Sequence, residues 1–158
     1  MKGKKVWITG AGSGIGRALA VAFDKEGAFL ILSGRKVEAL ESTKSALQHK
    51  NECSIIPFDL ENHDEIEKTY HFHRDQIKNV DILVNNAGIS QRSLTKNTTF
   101  AVYKKLIDIN YLGTVRLSQL MLNDFEKNGK GHFVTMSSTA GKFGVPLRSG
   151  YCLSLIHI

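Results

Sequence analysis

A glycine-rich segment near the amino terminus, TGAGSGIG at residues 9–16, constrains the fold more than any other part of the chain. The apolar run VWI at residues 6–8 precedes it and predicts a buried strand. Apolar residues at helical spacing follow it over residues 17–23 and predict a helix. A strand, a glycine turn and a helix open a dinucleotide-binding unit, because a pyrophosphate lies against backbone N–H groups at a helix N-terminus and a Cβ in the turn would hold it away.

The spacing of these glycines differs from the common fingerprint G-x-G-x-x-G. Gly10, Gly14 and Gly16 follow the pattern T-G-x-x-x-G-x-G instead. A glycine motif alone does not settle a function, and a glycine-rich surface turn is the alternative interpretation. The predicted strand before the motif and the predicted helix after it favour a dinucleotide site.

The end of the second predicted strand bears on which dinucleotide would bind. Residues 28–32 predict this strand, and Gly34 and Arg35 follow shortly after it. A unit that prefers NAD usually places Asp or Glu here, where the carboxylate accepts hydrogen bonds from the ribose. An arginine can instead grip a 2′-phosphate with charge-assisted hydrogen bonds. We therefore expect NADP(H), with NAD(H) as the less favoured cofactor; the alternative is that Arg35 is a solvated residue at a helix start.

Strand and helix patterns alternate along the rest of the chain. Further strands are predicted at residues 54–58, 80–84 and 132–136, and helices at residues 37–50, from Asn62 or Asp64 to about 78, and from Thr98 or Thr99 to about 129. This alternation predicts an α/β fold, a doubly wound parallel sheet of the Rossmann-like type with helices on both faces.

The longest predicted helix has an apolar face and one polar residue of interest. The residues expected on the apolar face are Val102, Leu106, Ile109, Leu117, Leu120 and Met121. Asn110 lies within this helix, and a polar side chain in the middle of a helix is usually at the surface. The pattern alone therefore does not single out Asn110.

Composition limits the classes of function. A chain of 158 residues with a formal net charge of +6 is long enough for one domain with a sizeable core. Its basic residues are scattered rather than clustered, which argues against nucleic-acid binding. Cys53 and Cys152 show neither metal-ligand spacing nor a disulfide framework. No apolar stretch is long enough for a membrane span and the first strand leaves no room for a signal peptide, so a cytoplasmic location is expected.

Taken together, the motifs resemble the short-chain dehydrogenase/reductase family. The match runs from Lys4 to about Cys152, and it includes TGAGSGIG at residues 9–16, Asp59, NNAG at residues 85–88, Asn110, Ser138 and Tyr151, in that order. The segments VDILVNNAGI, SSTAG and VPLRSGY are similar to the branch of the family around dehydrogenase/reductase member 7.

The resemblance implies a set of cofactor-binding residues. They are Gly10, Ser13, Gly14, Ile15, Gly16, Arg35, Asp59, Leu60, Asn86, Ala87, Gly88 and Tyr151. The glycine segment would hold the pyrophosphate and ribose, and Arg35 the 2′-phosphate. Asp59 and Leu60 would hold the adenine, and residues 86–88 the ribose on the nicotinamide side.

The resemblance also implies catalytic roles for Asn110, Ser138 and Tyr151. Ser138 would polarise a substrate carbonyl, Tyr151 would donate or accept the proton, and Asn110 would help order a water relay. This suits hydride transfer between NADP(H) and a small-molecule carbonyl or secondary alcohol. A free tyrosine has a pKa of about 10, too high for easy proton exchange at neutral pH. The family lowers that pKa with a lysine four residues after the tyrosine.

The sequence departs from the family after Tyr151, because Leu155 stands where the family has this lysine. The family pattern continues through another helix, two strands and a substrate-covering region, so we expect a sheet truncated after its fifth strand. The dinucleotide-binding domain is expected to span residues 1–152. Residues 153–158, LSLIHI, are expected to be a non-native tail, since they reverse-translate to an end sequence of transposon-based sequencing libraries. The fragment is expected to be inactive, and its full-length parent a homo-oligomer that uses the helix around residues 110–126.

Three alternatives to an oxidoreductase remain open. A non-catalytic NADP-binding module is favoured if Leu155 is native. A relative of the sugar-nucleotide epimerases is less favoured, because three residues rather than two separate Gly10 from Gly14. Nucleic-acid binding is the most distant alternative and would require salt-sensitive affinity.

Overall fold

Five parallel strands form one sheet in the computed structural model, which describes residues 1–156 apart from the side chain of Asn51. The strands are β1 (Lys5–Thr9), β2 (Phe29–Ser33), β3 (Cys53–Ile55), β4 (Ile82–Asn85) and β5 (His132–Thr135). Every neighbouring pair is parallel and the order is β3-β2-β1-β4-β5. The predicted Rossmann-like α/β fold is confirmed. The strand order reverses its direction at β1, and the cleft described below opens at that point.

Helices connect the strands. They are α1 (Gly14–Lys25), α2 (Val37–Ser45), α3 (His63–Phe72), α4 (Arg74–Ile77), α5 (Phe100–Ile107), α6 (Thr114–Lys127) and α7 (Ser149–Leu155), with a π-helical turn at Asp108–Gly113 and 3-10 turns at Lys50–Glu52, Thr95–Asn97 and Thr139–Gly141. Between residues 1 and 156, no helix combines the length and apolar character that crossing a membrane requires.

The sheet separates two hydrophobic cores. Side chains alternate between the faces of a strand, so Trp7 packs on one side with Leu117, while Val6 and Ile8 pack on the other side with Leu40. All five of these side chains are almost completely buried.

Because both faces of the central strands β1, β2 and β4 are covered, these strands are apolar along most of their length, and short apolar runs predicted them to within two residues. β3 ends at Ile55, before the predicted end at residue 58, and β5 lies at the edge of the sheet, where His132, Phe133 and Thr135 are exposed.

The second predicted helix is shorter in the structure than its pattern suggested. It was expected over residues 37–50, but α2 ends at Ser45. The carboxylate of Asp24 accepts the backbone N–H groups of Gln48 and His49 at 2.7 and 3.1 Å, so these residues bond to α1 instead of continuing the helix. Leu47 is nevertheless buried, as its apolar spacing predicted.

The third predicted helix is divided into α3 and α4 at His73. Asn62 forms the expected N-cap, accepting the backbone N–H of Glu65 at 3.1 Å. Arg74, the first residue of α4, reaches the buried carboxylate of Asp124 on α6, which also contacts the hydroxyl of Tyr70. Burial, followed by this hydrogen bond, raises the pKa of Tyr70. The three side chains join the helices on one face of the sheet.

The longest predicted helix is interrupted. Thr99 is at its N-cap, and the π-helical turn separates α5 from α6. Leu106, Leu117 and Met121 are buried as predicted, whereas the expectation for Val102 is wrong, because 37% of this residue is exposed. A π-helical turn contains an extra residue, which rotates the faces of α5 and α6 relative to each other. A single helical period therefore does not describe both helices.

Candidate active site

A cleft of about 510 Å³ opens at the carboxyl ends of β1, β2 and β4. Its lining includes ten of the predicted cofactor-binding residues, Gly10, Ser13, Gly14, Ile15, Arg35, Asp59, Leu60, Asn86, Ala87 and Gly88. A crevice at the point where the strand order reverses is where ligands bind in open α/β sheets. The fold therefore brings together residues that are up to 78 positions apart in the sequence.

The turn after β1 requires glycine at two positions. Gly10 has a φ of +65°, and a Cβ there would lie 2.8 Å from Ala87 Cα. A Cβ on Gly16 would lie 2.3 Å from the Gly10 carbonyl oxygen, so this glycine allows α1 to pack against the turn. Gly16 does not line the cleft, although the resemblance implied a cofactor contact; it shapes the turn that Gly10 and Gly14 present to the cleft.

Thr9 connects the ends of β1 and β4, a role that the sequence analysis missed. Its hydroxyl donates to the Val84 carbonyl oxygen at 3.3 Å and accepts the backbone N–H groups of Asn86 and Ala87 at 3.0 and 3.1 Å. The Asn86 side-chain amide donates in return to the Thr9 carbonyl oxygen at 2.9 Å. These bonds hold the glycine turn against the NNAG segment. A hydroxyl residue directly before the first glycine was the available signal.

Charged side chains mark the β2 end of the cleft. Arg35 Nη1 lies 3.9 Å from Asp59 Oδ2, and 50% of the arginine and 32% of the aspartate side chain are exposed. The other Asp59 oxygen accepts the backbone N–H of Glu61 at 3.0 Å, which fixes the carboxylate. Lys36 also lines this end and was not predicted, although it is the next residue in the sequence. A guanidinium held this loosely can exchange its partner for a phosphate.

A second cavity of about 210 Å³ adjoins the first at the β4 end. Tyr151 and Asn110 line it, and it shares Ile15 and residues 86–89 with the cleft. Tyr151 is thus placed beside the segment that was predicted to face the nicotinamide. Ser137 rather than Ser138 lines this cavity, because the Ser138 hydroxyl accepts the backbone N–H of Ala140 at 3.2 Å and caps a 3-10 turn.

Asn110 lies in the π-helical turn and is only 2% exposed. The helical pattern alone did not single out this residue, and the irregular turn directs its side chain inward. Its amide oxygen accepts the Ile89 backbone N–H at 2.8 Å, and its amide nitrogen lies 2.9 Å from both the Ile89 carbonyl oxygen and Ser154 Oγ. Ser154 in turn donates to the Tyr151 carbonyl oxygen at 2.8 Å. Asn110 thereby joins the segment after β4 to the helix that carries Tyr151.

The model of the short chain dehydrogenase family matches residues 4–154. The chain belongs to this family. It is 42% identical over 154 residues to dehydrogenase/reductase SDR family member 7 of Homo sapiens, covering 94% of this chain and 45% of that protein. Against the member 7-like protein of Drosophila melanogaster the identity is 36% over 159 residues, covering 98% of this chain and 49% of that protein. The predicted resemblance, including its branch, is confirmed.

Solved structures of two reductases share the fold. Levodione reductase superposes with a TM-score of 0.91 at 30% identity, covering 99% of this chain and 62% of that one. A variant of actinorhodin polyketide ketoreductase with NADPH superposes with a TM-score of 0.89 at 29% identity, covering 97% and 56% of the two chains. The chain spans about half the length of the curated short-chain dehydrogenase relatives it matches.

Proposed function

We propose that this chain is the cofactor-binding part of an NADP(H)-dependent oxidoreductase that acts on a carbonyl or a secondary alcohol. One observation carries the proposal: the cleft has a basic end at Arg35, a glycine turn in its middle and, at its other end, a cavity lined by Tyr151. This order matches the 2′-phosphate, pyrophosphate and nicotinamide of an extended cofactor. The ketoreductase described with NADPH, which has a similar fold, supports the choice of cofactor.

The residues present fit this cofactor. The Gly10–Gly14 turn presents backbone next to the start of α1, where N–H groups without helical partners attract a phosphate. Ile15, which is 59% exposed, offers an apolar contact between the two cavities. Arg35 would hold the 2′-phosphate, and Asp59 with Leu60 the adenine. When bound, NADPH would supply the hydride.

Tyr151 is the group that we assign to proton transfer. A carbonyl being reduced gains negative charge on oxygen, and a phenol beside it both stabilises that charge and donates the proton. Ser138 would be a second donor to the same oxygen. Its hydroxyl accepts the Ala140 N–H, which leaves its own O–H free to donate. Asn110 would hold the helix of Tyr151 through Ser154.

Leu155 favours a second candidate function, an NADP(H)-binding module without turnover. This residue is 6% exposed and packs against the turn at Gly141, four positions after Tyr151. An apolar side chain supplies no positive charge that would favour proton transfer from the phenol. We therefore expect the 158-residue chain to bind NADPH but to show no measurable turnover.

Cofactor binding can be tested with two matched glycine substitutions. Gly14 has a φ of +51° and Gly129 a φ of +65°, and a Cβ on either would have no atom within 4 Å. Both alanine variants therefore bear the same kind of backbone strain, about 1–2 kcal/mol, without a clash. Gly14→Ala is expected to weaken NADPH binding at least about tenfold in calorimetric titrations, since its methyl group enters the cleft. Gly129→Ala should bind normally; equal losses in both variants would contradict the proposed site.

Turnover separates the two candidate functions. In a chain completed to the length of its relatives, Leu155→Lys is expected to give NADPH-dependent reduction of a panel of ketones and aldehydes. Adding Tyr151→Phe should abolish that turnover while NADPH still binds, because only the proton donor is lost. A binding module is indicated if the Leu155→Lys form binds NADPH but reduces no member of the panel.

A further inference from the structure

The segment that follows β4 contacts the segment that leads into α7. The backbone N–H of Ser93 donates to the Leu147 carbonyl oxygen at 2.9 Å, and Arg148 Nη1 donates to Ser90 Oγ at 2.6 Å. Leu147 has a φ of 66°, the left-handed conformation that a leucine rarely adopts. Contacts at Leu147 and at the next residue, Arg148, therefore hold a strained turn shortly before Tyr151.

A third contact between these segments reaches Tyr151 itself. The backbone N–H of Tyr151 donates to the side-chain oxygen of Gln91 at 3.0 Å, across 60 positions of sequence. Tyr151 is the third residue of α7, so its N–H is one of those that have no partner within the helix. Arg148, at the N-cap, makes no side-chain capping bond. Gln91 thus caps this helix from another part of the chain.

The other end of the Gln91 amide supports a role beyond capping. Its orientation follows from the contact, because the Tyr151 N–H requires the oxygen as acceptor. The amide nitrogen, Nε2, is then buried and has no hydrogen-bond partner within residues 1–156. A buried donor without a partner is costly, and such groups concentrate where function requires a particular geometry.

We propose that Gln91 is the positioning residue for Tyr151. It follows residues 86–88, which line both cavities, so one stretch of chain would set the nicotinamide end of the site and the position of the phenol. Through the Tyr151 N–H, Gln91 sets the first turn of α7 and thereby the direction of the tyrosine side chain. The role rests on the proposed function, in which Tyr151 acts next to a bound NADP(H).

The test uses the 158-residue chain and two substitutions of Gln91. Gln91→Met keeps the length of the side chain and removes the acceptor, whereas Gln91→Glu keeps the acceptor. Gln119→Met, on an exposed position of α6, is the matched control. Three quantities are measured by NMR: exchange of the Tyr151 amide, the affinity for NADPH, and the shift of the Tyr151 ring signal when NADPH is added.

In Gln91→Met, we expect the Tyr151 amide to exchange at least about tenfold faster, because its hydrogen bond is lost. NADPH affinity should stay within about twofold, since the cleft contacts are intact, while the ring signal should no longer respond to NADPH. Gln91→Glu should restore both the amide protection and the ring response, and Gln119→Met should change neither. A purely structural cap would not separate cofactor binding from the ring response.

The outcomes that overturn the proposal are distinct from those that overturn the proposed function. Gln91→Met with unchanged amide protection and ring response would refute the positioning role. If Gln91→Met does not fold, the test rests on Gln91→Glu. A folded Gln91→Glu variant whose Tyr151 amide is not protected from exchange refutes the role. One whose amide is protected and whose Tyr151 ring signal shifts with NADPH supports it. Failure of the unsubstituted chain to bind NADPH would instead refute the proposed function, while the amide exchange still reports on the Gln91 contact.

Discussion

Replacing Arg35 by alanine is expected to weaken the binding of NADPH and to leave the binding of NADH almost unchanged. Arg35 lies at the β2 end of the cleft, where the proposed function places the 2′-phosphate, the only feature that distinguishes the two cofactors. A hydrogen bond between charged groups contributes about 1.5–3 kcal/mol. Since half of the Arg35 side chain is exposed, solvent screening favours the lower part of this range.

The contact between Arg35 and Asp59 reduces the expected effect further. At 3.9 Å it is a loose ion pair between partly exposed groups, worth about 0–1 kcal/mol, and the arginine loses it when it turns to a phosphate. The net loss in Arg35→Ala is then about 1–2 kcal/mol, or roughly 5- to 30-fold in the dissociation constant of NADPH. Raising the ionic strength should shrink the difference, because the contact is electrostatic.

Calorimetric titration of NADPH and NADH into both proteins measures this selectivity. Lys25→Ala, at the exposed end of α1 and outside the cleft, is the control for a lost positive charge. It should leave both affinities unchanged. Equal weakening of NADPH and NADH by Arg35→Ala would show that the arginine does not read the 2′-phosphate, and the preference for NADP(H) would have to be abandoned.

Two further predictions concern stability and pH. Burial raises the pKa of Asp81, but the hydrogen bonds from the Lys5 backbone N–H and the Lys4 ammonium outweigh it, so the pKa is lowered overall. Asp81→Asn should lower the free energy of unfolding, measured with urea at pH 7, by about 1 kcal/mol. The difference between the two proteins should vanish as the pH falls below about 4 and through the lowered pKa, because the aspartate is then protonated. A difference that persists in acid would contradict this. Burial and the hydrogen bond to Asp124 raise the pKa of Tyr70, so as the pH rises the unfolded chain loses the phenol proton before the folded chain does. The free energy of unfolding should therefore fall by about 1.4 kcal/mol per pH unit above pH ~10. Tyr70→Phe should lack this part of the slope, and an identical alkaline slope would refute the reasoning.

Local patterns in the sequence predicted the fold and the cofactor end of the site. Two reasons for glycine lie within the turn at residues 9–16: Gly10 has a φ of +65°, and a Cβ on Gly16 would lie 2.3 Å from the Gly10 carbonyl oxygen. β1, β2 and β4 lie between two cores, so their apolar runs were visible without tertiary information. Arg35 follows the last residue of β2 by two positions, and its position in a parallel sheet places it at the cleft.

Helix boundaries were predicted less well, because distant residues decide them. The carboxylate of Asp24 draws residues 48 and 49 out of the α2 pattern, and Arg74 bonds to Asp124 where the predicted helix divides. These partners are 24 to 50 positions apart, so no window of local sequence contains both. Periodicity describes one helix face and cannot report such competition.

The end of the site around Tyr151 was decided by tertiary structure. Thr9 bonds to residues 77 and 78 positions away, and Gln91 bonds to Tyr151 across 60. The helical pattern did not single out Asn110, and the π-helical turn places it in the interior. Sequence by itself determined which residue types could bind a dinucleotide, since turn chemistry and strand ends are local. Only the folded chain decided which side chains meet around Tyr151, because hydrogen bonds between distant residues form after the sheet has brought the strand ends together.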